Sequence, residues 1–447
     1  MTVKITFEEE MIMKNTALVV GGGLAGLTAA NFLAKAGSEV TLIEKSQTFG
    51  GRAITTTKNG VHFNLGPHAL YRSGQAFKIL RELGIEISGG IPKVGGTLAI
   101  DGGRKHKLPG EALSLMTTSL FGVSAKLEAT RIFSALPKID AEKFNHLTVR
   151  EWLDKEIRNS ELRRLLQAFF RLGSYVNDPE RQSAGLALAQ FQMALKESVL
   201  YVDGGWQTFV NGLRAKAVKA GVKIIAESRV AKIIRNQSGR ASGVSLADGS
   251  QYSADVIIVA ASPHEACELI ENGQQTALGE GAQRAIPVKA ACLDVALERL
   301  PDPHTTFALG IDRPLYLSVH SATAKLAPEG NAVIHVAMYL GSDAPDNPKA
   351  IEHELEELLD LVQPGWQKLL IERRFMPSLT VVNALATAEQ GGLAGRPGPA
   401  VPGIEGLFVA GDWVGTEGWL ADASVASGKR AAELAAQTSN KAWAKSA

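Results

Sequence analysis

Apolar and polar residues change period several times along the chain, and the changes mark its elements. Ala17–Val20 is an unbroken apolar run of the kind a buried parallel strand shows, and Leu24–Ala36, rich in Ala and Leu, predicts a helix stopped by Gly37. Val40–Ile43 predicts a second buried strand, ending at Glu44. Residues 60–110 alternate short apolar runs with glycines. From 111 to 200 the period is helical, around Val149–Leu153 and through a long helix over Glu161–Arg171. At 201 a Gly-Gly turn precedes an amphipathic helix, VKIIAESRVAKIIR then alternates as strands do, and ADVIIVAASP (254–263) ends in a buried strand. Strand-like runs return at AACLDVAL, PLYLSVHS and NAVIHVAMYL, followed by a helix over Ala350–Leu361, and a last apolar run covers Leu407–Ala410. The fold class predicted is α/β in two discontinuous domains. One is a parallel-sheet domain over 14–110, 201–269 and 385–437; the other is α+β over 111–200 and 270–384.

Chemistry enters at the first strand. Gly21, Gly23 and Gly26 form G-x-G-x-x-G where the strand ends and the helix begins, the signature of a Rossmann-type dinucleotide cradle. Gly21 permits the sharp turn, Gly23 removes a side chain where a pyrophosphate meets the backbone, and Gly26 lets the helix lie close on the sheet. The helix N-terminus then faces the anion. Glu44 stands where an acid accepts hydrogen bonds from an adenosine ribose, and it would repel a 2′-phosphate, so the cofactor is FAD or NAD. GGLAG at 391–395 repeats five letters of this loop without the third spacing or a preceding strand, so it reads as a plain loop.

A chain of 447 residues has material for two domains and a large buried ligand. Its formal net charge of +1 gives no support to nucleic-acid binding. Cys267 and Cys292 are the only two cysteines, too few for a disulfide framework, and they suit a reducing cytoplasmic setting. Residues 1–15 carry three consecutive glutamates and no long apolar segment, and so read as a short leader. No run reaches membrane-spanning length. The uncharged segment Ala112–Ala125 reads as a substrate-domain helix, with peripheral membrane contact as the alternative.

GGR at 50–52, LFVAGDW at 407–413 and GWLADASVASGKRAA at 418–432 complete a pattern that resembles the flavin amine oxidase superfamily, which includes monoamine oxidases, protoporphyrinogen oxidases and phytoene desaturases. The motifs lie at the two ends of the chain. The resemblance implies non-covalent FAD, with Gly50, Gly51, Arg52, Gly411 and Asp412 beside it and Leu420 and Ala421 at the entry to a helix aimed at the flavin. It also implies a backbone contact from Val230 to adenine, although a core valine would look the same. FNLGPHALY (63–71) falls where the family threads a loop past the flavin, making His68 either a site residue or a hydrogen-bonded loop residue. Trp419 matches one of the aromatic walls of amine oxidases, or else packs over the cofactor; the segment 381–395 contains no aromatic residue to make the other wall, which favours a roomy apolar site. Lys289 matches a lysine that assists reoxidation of the flavin, or else is a solvated strand-edge lysine. No nucleophile triad, paired carboxylates or metal cluster is evident. The implied reaction removes two electrons from a hydrophobic substrate such as a polyene or porphyrinogen, or from a small amine. A non-enzymatic binding protein resembling the Rab GDP-dissociation inhibitors is the rival reading.

Overall fold

The computed structural model describes residues 15–93, 95–341 and 344–446, so all but the last residue of the expected leader lies outside the described residues. A five-stranded, all-parallel sheet is ordered Lys223–Ile225, Glu39–Ile43, Thr16–Val20, Val256–Val259, Leu407–Val409. The glycine-loop strand therefore sits at its centre. Its strands are apolar throughout because both faces are covered: Leu24–Lys35 packs with the C-terminal helix Ala421–Ser446 and with Gln207–Lys219 on one side, while a three-stranded antiparallel sheet (Val230–Arg235, Ala241–Leu246, Gln251–Ser253) lies against the other.

A second, seven-stranded sheet runs Leu370–Val382, Val288–Leu297, Ala332–Leu340, Leu315–Val319, Phe307–Gly310, Thr97–Asp101, Arg104–Lys107, antiparallel except where Phe307–Gly310 meets Thr97–Asp101. One face packs on the helix Pro348–Val362 through side chains such as Leu293, Val336 and Leu355. The other face looks into the molecule. A separate helical cluster built from 112–197 caps one end of this sheet.

Two expected boundaries move. Thr97–Asp101 and Arg104–Lys107, placed with the parallel sheet by their glycine-rich texture, pair into the seven-stranded sheet instead. Texture reports turns but not partners. Conversely Ala277–Arg284 packs Leu278 and Ala282 into the core that holds Val230 and Val409, so the chain leaves the parallel-sheet side nearer 286 than 270.

Candidate active site

At the glycine loop the three expected roles separate physically. Gly21 has φ +105°, and a Cβ there would lie 2.5 Å from the Ala260 carbonyl oxygen; a Cβ on Gly26 would lie 1.9 Å from the Gly21 oxygen. These two let helix and strand touch. Gly23 caps the first helix in an extended conformation, and the nearest atom to a Cβ there is the Gly50 oxygen at 3.8 Å, so the space in front of it is open. A neighbour missed by sequence reading, Gly22, is as constrained: its Cβ would meet Phe49 at 2.4 Å, and its N–H donates to Glu44 Oε2 at 2.6 Å. Glu44 Oε1 accepts from the Ser46 N–H at 2.9 Å, which orients the carboxylate at the cradle. The Gly50 N–H donates to the Gly22 carbonyl at 2.9 Å, joining the GGR turn to the loop.

Arg52 leaves that turn and donates to Asp412 Oδ2 at 2.6 Å and to the Val381 carbonyl at 2.7 Å. The Asp412 carboxylate also accepts from the Asn383 N–H at 3.1 Å and from its side-chain amide at 2.8 Å. Both carboxylate oxygens thus accept from protein donors, which holds Arg52 and Asn383 together at the edge of the cavity that Asp412 lines. Sequence reading missed two supports of this corner. Arg396 donates to the carbonyls of Asp412 and Gly418, both at 2.8 Å, clamping the two ends of the turn, and burial pulls its pKa down to about 10. Ser427 accepts from the Gly411 N–H at 2.9 Å and donates to the Gly411 oxygen at 2.8 Å. Leu420 enters the C-terminal helix with φ +56°, a left-handed conformation unusual for leucine, and it and Ala421 line the site.

Next in the chain, Asp422 accepts from the Ala76 N–H at 2.7 Å, bridging two helix starts. Burial raises its carboxyl to about 6.

All of this opens into one cavity of about 1750 Å³. A pocket for a single drug-sized ligand measures about 300–1,000 Å³, so there is room for a dinucleotide and a second ligand. From the cradle the cavity runs past Val230 at one end, and at the other into an apolar lobe with Leu108, Leu115, Phe133, Phe169, Phe191 and Phe307. Between the ends stand four of the six tyrosines, Tyr71, Tyr175, Tyr201 and Tyr316. They supply the aromatic surface that 381–395 lacks, from elements that sequence spacing does not relate.

The candidate catalytic residues fare differently. His68 lines the cavity with Nδ1 3.1 Å from the Gly66 carbonyl and Nε2 3.1 Å from that of Arg52, and its ring is set edge-on to Trp206. Burial lowers its pKa, so the ring is neutral and donates to one of the two. Trp419 is 1% exposed, donates its indole N–H to the Ser174 carbonyl at 2.9 Å, and packs with Val288, Val382 and Leu385. It reaches the cavity only as part of that packed wall. Lys289 is a correction: it is exposed and absent from the cavity lining, whereas its strand neighbours Ala290 and Cys292 line it. The strand's alternation turns Lys289 outward.

The site fits FAD on its own geometry, with open space before Gly23, an oriented acid at Glu44 and two glycines at the GGR turn. Gly21, Gly23, Glu44, Gly50, Gly51, Arg52, Val230, Gly411, Asp412, Leu420 and Ala421 all line the cavity, while Gly26 shapes it from behind. Among the described residues no cluster of His, Cys, Asp and Glu is arranged to hold a metal ion.

Comparison with known proteins agrees. A phytoene desaturase of Cercospora nicotianae is 28% identical over 279 residues, covering 54% of this chain and 44% of the relative. A hydroxyneurosporene desaturase of Cereibacter sphaeroides is 28% identical over 309 residues, covering 60% of this chain and 59% of the relative. The matched parts thus span about half the length of these curated relatives. The fold matches that of an oxidoreductase from Methanosarcina mazei with a TM-score of 0.74 at 19% identity, over 92% of this chain and 98% of the other. The family model for flavin-containing amine oxidoreductases matches residues 24–436, and the chain belongs to that family.

Proposed function

We propose that the protein is an FAD-dependent oxidoreductase that takes two electrons from an elongated hydrophobic substrate of the polyene type. The observation that carries this reading is the continuity of the cavity from the glycine cradle to a lobe walled by phenylalanine and leucine. FAD, when bound, supplies an acceptor for a hydride from the substrate. The chain's own contribution is to hold the cofactor through Gly23, Glu44 and the GGR turn, to lay the substrate along the apolar lobe, and to keep water out. His68 and the tyrosines bound the region where the two ligands meet.

The helices that wall the lobe also carry an exposed apolar surface. The helices Ala112–Thr117 and Val123–Ala135 line the cavity with Leu115, Thr130 and Phe133, and on their outer sides Leu113, Met116, Val123 and Leu127 are 67–75% exposed. An apolar surface on the outer side of helices that wall the lobe suits docking on a lipid surface. No described helix is long and apolar enough to cross a membrane.

The family description and the four cavity tyrosines favour a second reading, oxidation of an amine. Anaerobic mixing of FAD-loaded protein with polyenes in liposomes, and separately with amines, decides between them. Bleaching of the flavin by polyenes supports the first, bleaching by amines alone supports the second, and a protein that cannot be loaded with FAD overturns both.

A further inference from the structure

His68 stands in the short connection between the strands Val61–Asn64 and Leu70–Tyr71, and that connection is held from two sides. Gly66 has φ +75°, and a Cβ there would lie 2.7 Å from Cys292 Sγ, so glycine lets the loop lie against the seven-stranded sheet. The Pro67 carbonyl accepts from the Tyr175 hydroxyl at 3.0 Å. The His68 ring is then fixed by both of its nitrogens, with Nδ1 3.1 Å from the Gly66 carbonyl and Nε2 3.1 Å from that of Arg52. Arg52 belongs to the turn that Gly50 joins to the glycine loop, so the ring links the cradle to the tyrosine wall. It is half-buried and keeps part of its surface on the cavity.

Both neighbours are carbonyl oxygens, which only accept, and a neutral imidazole has one N–H. In either tautomer the second nitrogen therefore turns a lone pair toward an oxygen at 3.1 Å. The imidazolium satisfies both contacts, with hydrogen bonds made stronger by its charge. Burial is the largest influence on the ring and lowers its pKa, against the upward pull of the two carbonyls. His335 adds a smaller downward push and Asp294 a smaller upward one, and His320 shares the region, its own pKa pushed down in part by His68. The nearby guanidiniums are engaged elsewhere, Arg52 with Asp412 and Arg374 with Asp294. The ring is thus neutral in surroundings shaped for its cation, and the charge of what lies in the cavity decides between the two states.

We propose that His68 balances the charge of the reduced cofactor, standing neutral beside oxidised FAD and becoming an imidazolium once bound FAD has accepted a hydride. This rests on the functional reading above only for FAD and for the two-electron transfer, and it holds whether the donor is a polyene or an amine. A hydride carries two electrons and one proton, so it leaves the flavin with one more negative charge. A proton from water then binds the lone pair of whichever His68 nitrogen lacks one, and the new N–H donates to the carbonyl already facing it. No heavy atom needs to move. Removal of the hydride reverses each step. His68 thereby acts through its charge, and reduction of the cofactor draws one proton more than the flavin itself takes.

Two measurements test this, and photoreduction serves both, so neither needs the natural substrate. In histidine-¹⁵N-labelled FAD-loaded protein at about pH 7, NMR is expected to show His68 with one protonated nitrogen before anaerobic photoreduction and two after it. The His68 signals are identified by their loss in His68→Gln. An unchanged protonation state overturns the proposal. Equilibration with redox dyes across a range of pH around 7 then gives the protons taken up per two electrons from the slope of the midpoint potential. Wild type is expected to take up about one proton more than His68→Gln, a difference that a purely structural histidine would not produce. Equal uptake overturns the proposal; His68→Asn gives the same comparison should glutamine not fit the loop. Protein that binds FAD but shows neither change overturns the role of His68 alone. Protein that cannot be loaded with FAD overturns the functional reading, and the role of His68 falls with it.

Discussion

The Arg52 guanidinium and the Asp412 carboxylate, 360 positions apart in sequence, meet at 2.6 Å. Asp412 is 1% exposed and also holds two donors of Asn383, so its removal strands three donors at the edge of the cradle. Asp412→Ala is therefore expected to weaken FAD binding by about 1.5–3 kcal/mol, the worth of hydrogen bonds to a charged group, with Asp412→Asn between it and wild type. Titration by flavin fluorescence quenching measures this. Equal affinity in Asp412→Ala would make the pair purely architectural.

Gly23 and Gly26 are expected to fail in different ways. A Cβ on Gly26 meets the Gly21 oxygen at 1.9 Å, so Gly26→Ala is expected to lower Tm by forcing the first helix off the sheet, with or without cofactor. Gly23 faces open space in the protein alone, so Gly23→Val is expected to fold with a wild-type Tm when stripped of FAD and yet take up none. Differential scanning calorimetry of stripped protein and FAD absorbance together separate the two. Full FAD occupancy in Gly23→Val would refute the cradle assignment.

Asp422 makes stability depend on pH. Its folded carboxyl titrates at about 6, whereas an unfolded aspartate titrates near 3.9. Between those values the folded chain holds a proton that the unfolded chain has released, so the stability it lends is full below about pH 4 and is lost as pH rises through about 6. The size is on the order of 3 kcal/mol. Asp422→Asn keeps an acceptor for the Ala76 N–H, so it is expected to match wild type at pH 3.5 and to exceed it in Tm at pH 7.5. Equal melting at both values would mean that the two helix starts keep the carboxylate ionised at no cost.

The exposed patch predicts a surface phenotype. Replacing Met116 and Leu127 with Glu is expected to reduce co-sedimentation with phospholipid vesicles at least about tenfold, since burying each apolar side chain contributes about 1.5–3 kcal/mol. FAD content and Tm stay unchanged, both side chains being exposed. Vesicle binding that survives the double substitution would place the contact elsewhere.

Legibility tracked distance along the chain. Strand, glycines, helix and acid lie within residues 16–44, and local pattern specifies them. Arg396 and Asn383 matter because folding brings them to Asp412, and no periodicity records that. Lys289 shows a subtler limit. Val288–Leu297 is buried at every position except 289, so alternation of polarity does not say which face looks into the cavity, and an error of one residue exchanges Lys289 for Ala290. Asp294 and His335 meet at 2.6 Å inside the seven-stranded sheet, and their only signal in the sequence is a lone Asp in AACLDVAL and a lone His in NAVIHVAMYL, polar letters in otherwise apolar strands. Their partnership became visible only with the register.

The order of strands in the parallel sheet has a consequence for synthesis. The glycine loop is synthesised well before the strand Leu407–Val409 and the helix Ala421–Ser446 that complete its site. At about 5–20 residues per second the cradle waits roughly 20–80 s on the ribosome for its other half. Cofactor capture is then a closing event of folding rather than a nucleus for it, and stalled chains ending before 407 are expected to emerge without flavin, however much of the substrate compartment they have already built.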